Sequence, residues 1–250
     1  MSFSLKDFGL AEMLRCGLDL RRSCQGAASM EAAAEAVVRY LYDECIDGAT
    51  GERECALVRF YKTHSYGMLP RELQRFATKL AGDATPGPEM RCLVMLATAG
   101  EEPEWNFRHA SARHQAIPLP SADMVAQAPM IAQLIRELGA DIDTVIAPAT
   151  GTEARTDGKT YNVFYVEEAL GSPFIPAQEE FVRRYGIRSV VGFGGQLFTG
   201  SLYTVILFSR VPVPESSAQR FRNIALDLKV AISMQEEDRT FREVPFPEPG

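Results

Sequence analysis

Apolar residues recur at helical spacing near both ends of the chain, and between those ends they gather into short β-branched and aromatic runs. In "MEAAAEAVVRYLYDECI", residues 30–46, Ala33, Val37, Leu41 and Cys45 share one side behind Ser29 as cap, which predicts an amphipathic helix. The preceding "LAEMLRCGLDLRR" predicts another helix, broken or ended near Gly17. "CALVRFYKT", 55–63, and "RCLVMLATAG", 91–100, read as strands separated by the short helix "MLPRELQRFATKL" and a loop. After "EEPEWNFRHASARH" comes the short extended piece "QAIPL", and Pro129 then opens a helix striped by Ile131, Leu134, Ile135 and Leu138. "DIDTVIAP", 141–148, reads as a strand or edge segment, "ATGTEARTDGKT" as an exposed hairpin or loop, and "YNVFYVEEAL" as a further extended element. Residues 177–186 predict a short helix stopped by Gly186, and strands 187–194 and 202–210 flank a turn at 198–201. Pro214 opens a closing helix to about Met234, with Phe221, Ile224, Leu228 and Ala231 spaced to meet a sheet, and a proline-rich tail then leaves the domain. This order predicts an α+β fold with one mostly antiparallel central sheet.

Composition narrows the picture. A chain of 250 residues, 46% apolar and 24% charged, has enough apolar residues for a packed core. No apolar run is long enough to span a membrane, and Lys6, Asp7 and Glu12 stand where a signal peptide needs its apolar stretch, so a cytoplasmic location is expected. The net charge of −7 disfavours nucleic acid as a partner. Cys16, Cys24, Cys45, Cys55 and Cys92 are odd in number and lack a CxxC pair, which favours buried free thiols over a disulfide framework or a zinc site.

The stretch "VVGFGGQLFTGSLYTVILF" poses the sharpest question. A phosphate cradle needs its glycines to open a helix, whose amides and dipole hold the anion. Here a turn and a second strand follow instead, so Gly192, Gly194 and Gly195 read as a glycine-rich strand end that lets a bulge form or a ligand come close. Phe193 and Gln196 thereby become candidate ligand contacts.

The ending "YGIRSVVGFGGQLFTGSLYTVILFSRVPV", followed by an amphipathic helix, resembles the last two strands and terminal helix of the GAF domain family. The resemblance spans roughly residues 28–236, leaving 1–27 as a helical extension and 237–250 as a tail or linker. It implies N- and C-terminal helices packed on one face of the sheet and crossover helices and loops forming a pocket on the other. It also implies a bacterial sensory input module for signal transduction, which would act through a downstream signalling protein or be a fragment of a longer chain; the two N-terminal helices offer a surface for a homodimer. Ligands of that family include cyclic nucleotides, haem and other tetrapyrroles, and small metabolites. The NKFDE motif of its cyclic-nucleotide group does not occur in this chain.

Candidate chemistry concentrates in "EWNFRHASARH". Trp105 and Phe107 supply an apolar wall, while Arg108, His109, Arg113 and His114 are suited to a carboxylate, a propionate or a phosphate. A packed aromatic anchor with solvated basic neighbours is the competing reading. His109 and His114 are five apart, outside the HExxH spacing of a zinc pair. His64 is a weak metal candidate, as an axial ligand if haem binds, and Cys92 is the residue a bilin thioether would use. The expected function is therefore a non-enzymatic small-molecule-binding sensory or regulatory domain. An interaction module with no ligand, and a redox enzyme using Cys45, Cys55 or Cys92, are the alternatives.

Overall fold

The computed structural model describes residues 2–82, 86–147, 161–233 and 240–242. Among them, six strands form one open antiparallel sheet: β1 (Cys55–Ser65), β2 (Arg91–Gly100), β3 (Ala116–Leu119), β4 (Tyr161–Val166), β5 (Ser189–Gln196) and β6 (Leu202–Ser209). Their spatial order is β3-β2-β1-β6-β5-β4, so the first strand of the chain is central, between β2 and β6. Helices α1 (Leu10–Cys24) and α2 (Met30–Glu44) precede the sheet, and α3 (Arg71–Ala81) joins β1 to β2. Helices α4 (Ala122–Ala126), α5 (Pro129–Glu137) and α6 (Ile142–Ile146) follow β3, and α7 (Glu215–Ile232) follows β6. This is the expected α+β fold, and its topology is GAF-like.

Both faces of the sheet are covered. Helices α2 and α7 pack over Val58, Phe60, Val94, Phe193, Tyr203 and Val205, and α1 packs on both of these helices. On the opposite face Tyr61, Met95, Phe164, Ile206 and Phe208 meet Ile135 and Leu138 of the α5 region, Val145 of α6 and Val182 of a π-helical turn at Gln178–Arg183. Strands β2, β5 and β6 are buried at every position, which is why they read as continuous apolar runs without alternation. No helix among the described residues is long and apolar enough to cross a membrane.

The glycine-rich end of β5 is part of the sheet. A Cβ at Gly194 would fall on the Tyr203–Thr204 backbone of β6, and one at Gly192 would come within 3.2 Å of the Phe164 side chain on β4. These glycines let three strands and an aromatic ring close up.

Several expectations need correction. Helix α1 runs unbroken through Gly17, because that glycine faces α7: a Cβ there would overlap the Asp227 carboxylate, which also pairs with Arg21. Residues 141–147 are not a strand, since the Asp141 Oδ1 accepts the Thr144 N–H at 3.1 Å and starts α6, local capping outweighing β-branched content. Ser121 caps α4 in the same way, a helix absent from the periodicity. Phe3, Leu5 and Phe8, ahead of α1, belong to the core, with Phe8 stacked on Phe221 of α7 at 4.6 Å. The Glu31 N–H donates to the Thr240 carbonyl at 2.9 Å, and the Phe241 ring lies 5.3 Å from His64. The 149–160 hairpin or loop lies outside the described residues.

Replacing Gly194 with alanine should lower the urea midpoint by the equivalent of about 1–3 kcal/mol, the range typical of overpacking. Gly192→Ala should cost less, because the Phe164 ring has more freedom to shift than the backbone of β6. Equal stability of Gly194→Ala and the parent would contradict the close pairing described.

Candidate functional site

A cavity of about 330 Å³ lies between β1, β2 and the crossover that carries the chain from β2 to β3. Arg59 and Thr98 line it from the sheet, and Glu104, Trp105, Ala110, Ser111, Ala112, Arg113 and His114 line it from the crossover. Arg59 and Thr98 are directly opposite one another in the β1–β2 pairing, so their side chains share a face of the sheet.

Side-chain amides shape the crossover more than regular secondary structure does. Asn106 donates to the carbonyls of Gly100 and Glu102 at 2.9 and 3.0 Å, which folds the chain back over the end of β2. Gly100 makes room for Trp105: a Cβ there would lie within 3.0 Å of the indole and of the Leu57 side chain. Trp105 also packs on Tyr185 and Phe181, with ring centroids 4.6 and 5.7 Å away. It is thus both an aromatic anchor and a wall of the cavity. Further along, the Gln115 Nε2 donates to the carbonyls of His109 and Ser111, each at 2.9 Å, and gathers the segment that caps the cavity. Two contacts brace the crossover from α2: Arg39 donates to the Asn106 Oδ1 at 2.9 Å, and Arg108 pairs with Glu31 at 2.6 Å. Glu31 also accepts the Arg242 backbone N–H through its other oxygen at 3.0 Å.

The cavity is rich in donors. The Arg59 Nε and the Thr98 Oγ1 are buried without a hydrogen-bond partner, and Arg59 forms no ion pair among the described residues. Thr98 is only 5% exposed. Burial, followed by the charges of Arg59 and Arg113, lowers the His114 pKa to about 4, so its imidazole is neutral at pH 7. Glu104 is the one carboxylate among the lining residues.

Trp105, Arg113 and His114 thus come together as candidate contacts, whereas the other expected residues lie elsewhere. Phe107 is 56% exposed with its ring beside His109, and Arg108 is directed to Glu31 of α2 in a largely buried pair. Phe193 sits on the other face of the sheet, 5.3 Å from Phe221 under α7, and Gln196 is the buried last residue of β5, opposite Leu202. Neither lines the cavity. Sequence reading missed Arg59 and Thr98. The available signal was a polar side chain set between apolar neighbours on each strand, Arg59 between Val58 and Phe60 and Thr98 between Ala97 and Ala99.

His64 and Cys92 are paired across β1 and β2 on the helical face, away from the cavity. Burial, followed by the charge of Lys62, holds the His64 pKa down at about 4. A haem or bilin in the cavity would therefore find neither of its expected protein ligands. Among the described residues, no group of three or more His, Cys, Asp or Glu side chains is placed to hold a metal ion. All five cysteines are free and buried. Cys45 and Cys55 do approach each other closely enough to hydrogen-bond, but burial, then this neighbour, pushes the Cys45 thiol well up. Burial likewise raises Cys24 to about 11 and Cys92 to about 12, so the reactive thiolate form is disfavoured at each.

A larger groove of about 920 Å³ opens beside the start of β1. Its four arginines are already neutralised: Arg53 pairs with Asp43, Arg183 with Glu179, Arg184 with Glu102 and Arg210 with Glu101. The smaller cavity, with buried donors left over, is the better candidate.

No protein-family model matches the sequence, and no curated protein matches it. Among solved structures, the chain is similar to a free methionine-R-sulfoxide reductase from Neisseria meningitidis in complex with its substrate, at 13% identity over 90% of each chain and a TM-score of 0.45. It is also similar to an N-acylhomoserine lactone-dependent LuxR family transcription factor from Burkholderia cenocepacia, at 15% identity over 91% of this chain and 99% of that one, with a TM-score of 0.41. A phycoerythrobilin-bound GAF domain from a cyanobacterial phytochrome matches at 14% identity over 94% of this chain and 97% of its own, again with a TM-score of 0.41. Likeness at this level assigns no ligand and no activity to this chain.

Proposed function

We propose that the protein is a non-enzymatic, small-molecule-binding sensory or regulatory domain whose ligand occupies the cavity over β1 and β2. The observation that carries this reading is the pair of unpartnered buried donors, on Arg59 and Thr98, at a cavity walled by the only tryptophan of the chain. A buried polar group left unpaired costs about 1–3 kcal/mol, a cost that a ligand offering acceptors relieves. The cavity volume is at the small end of the roughly 300–1,000 Å³ usual for ligand sites, which suits a small metabolite better than a tetrapyrrole.

The output of such a domain runs through its terminal helices. Leu10, Leu14 and Leu18 are more than half exposed and repeat every fourth residue along α1, and Leu226 and Val230 are exposed at the same spacing on the adjacent α7. A stripe of this kind is self-complementary under a two-fold axis, so a second copy of the chain is the partner it fits. Ligand binding then shifts the balance between two packings of these helices, provided the ligand favours one of them, and a downstream signalling protein reads the result. The ties of Arg39 on α2 to Asn106, and of Glu31 on α2 to Arg108, connect the crossover to that helical layer.

Mass spectrometry of whatever the freshly purified protein releases on denaturation tests the ligand reading. A stoichiometric small molecule is the expected result, and a protein that releases nothing and gains no thermal stability from any of a broad panel of metabolites would sink it. Light scattering tests the dimer: the parent should have twice the 27.6 kDa chain mass, and the double variant Leu14→Glu with Leu18→Glu should have the single chain mass. A monomeric parent would remove α1 and α7 as the interface.

Stability should also depend on pH through the two depressed histidines. Above about pH 6.5, His64 and His114 are neutral in both the folded and unfolded states, so neither contributes a slope. Below it the unfolded chain takes up protons that the fold refuses, and stability falls until the pH nears the folded values of about 4. Urea midpoints measured from pH 7 to pH 4 should decline, and His114→Asn should flatten part of that decline. An unchanged slope in the variant would mean that His114 is not held neutral.

A further inference from the structure

We propose that the cavity over β1 and β2 is built for a small organic monocarboxylate, whose two oxygens are received by Arg59 and Thr98 and whose apolar body lies against Trp105. This inference rests on the small-molecule reading above and adds the chemical class.

The donors decide the sign of the ligand. A guanidinium binds a carboxylate side-on through Nε–H and one terminal N–H, and the Arg59 Nε is the atom left without a partner. Thr98 stands directly across the strand pair, and its orphaned hydroxyl can donate to the same group. His114, kept neutral by burial and by Arg59 and Arg113, retains one N–H donor and adds no charge. A cationic ligand would meet two guanidinium groups there, and a neutral one would leave the Arg59 charge uncompensated in a partly buried site.

The remaining wall decides the size and shape. Glu104 offsets one of the two arginines, so the lining carries a single excess positive charge, matched by a monoanion better than by a doubly charged phosphate. Trp105, Ala110 and Ala112 present carbon to the cavity, which calls for an apolar group attached to the carboxylate. Only one tryptophan occurs in the sequence, so its fluorescence reports directly on occupancy.

The full chain, stripped of any co-purifying compound by refolding, is titrated with acetate, pyruvate, phenylacetate and indole-3-acetate, with the amide of each, and with inorganic phosphate. Tryptophan fluorescence (melting temperature alone for indole-3-acetate and its amide) and melting temperature are followed at pH 7.5. At least one carboxylate should bind saturably and raise the melting temperature, while its amide binds at least tenfold more weakly. Arg59→Met should lose that response by tenfold or more, yet melt at or above the temperature of the unliganded parent, because an unpaired charge has been removed. Thr98→Val, close in shape, should weaken binding several-fold without unfolding the protein. Phosphate binding more tightly than every carboxylate, amides binding as tightly as acids, or a carboxylate response unchanged in both variants would each overturn the proposal. Release of a neutral or cationic compound from the purified protein would also overturn it while leaving the small-molecule reading intact. A chain that releases nothing and responds to no probe and no metabolite fails both.

Discussion

The structure depends on a sheet covered on both sides, with the first strand of the chain at its centre. Each side chain on β1 must enter one of two cores, and a polar one there has water available only where the cover leaves a gap. Arg59 occupies such a place, between Thr98 on β2 and Ile206 on β6. Its stem packs among apolar neighbours while its head requires a gap in the cover, so the cavity and the cation are two aspects of one packing decision.

The cover over that gap is an arch that owes little to backbone ladders. Asn106 and Gln115, one near each end, use their amides to satisfy backbone carbonyls that a helix or strand would otherwise satisfy. Trp105 sets the foot of the arch against Gly100, and α2 holds its outer side. Such construction fixes the lining residues while leaving the segment free of the cooperative hydrogen bonding that would make it move as one rigid element.

How much of this was legible follows the range of the forces involved. The bounds of β2 follow from the sequence because a strand buried on both faces is apolar throughout, and the start of α2 follows because Ser29 caps its own helix at Ala32. Gly17 misled because local chemistry makes glycine a helix breaker, whereas its role is set by Asp227, far away in sequence. At 141–147 two local signals competed, and the Asp141 cap prevailed over four β-branched residues, Ile142, Thr144, Val145 and Ile146. The site was half visible: Trp105, Arg113 and His114 stand out by residue type, but Phe107, Arg108 and His109, their close neighbours in sequence, turn away from the cavity because short 3₁₀ turns separate them. Arg59 and Thr98 show in the sequence only as polar residues between apolar neighbours; that their donors lie unpartnered at a cavity is a property of the folded chain.

Glu31 gives the molecule a shared junction. One of its oxygens holds Arg108 of the crossover, the other holds the backbone of Arg242, and its own N–H holds Thr240. The arch over the cavity and the chain beyond α7 are therefore not independent variables. The two segments, 134 positions apart from residue 108 to residue 242, are tied to the first turn of α2 through the two oxygens of one carboxylate.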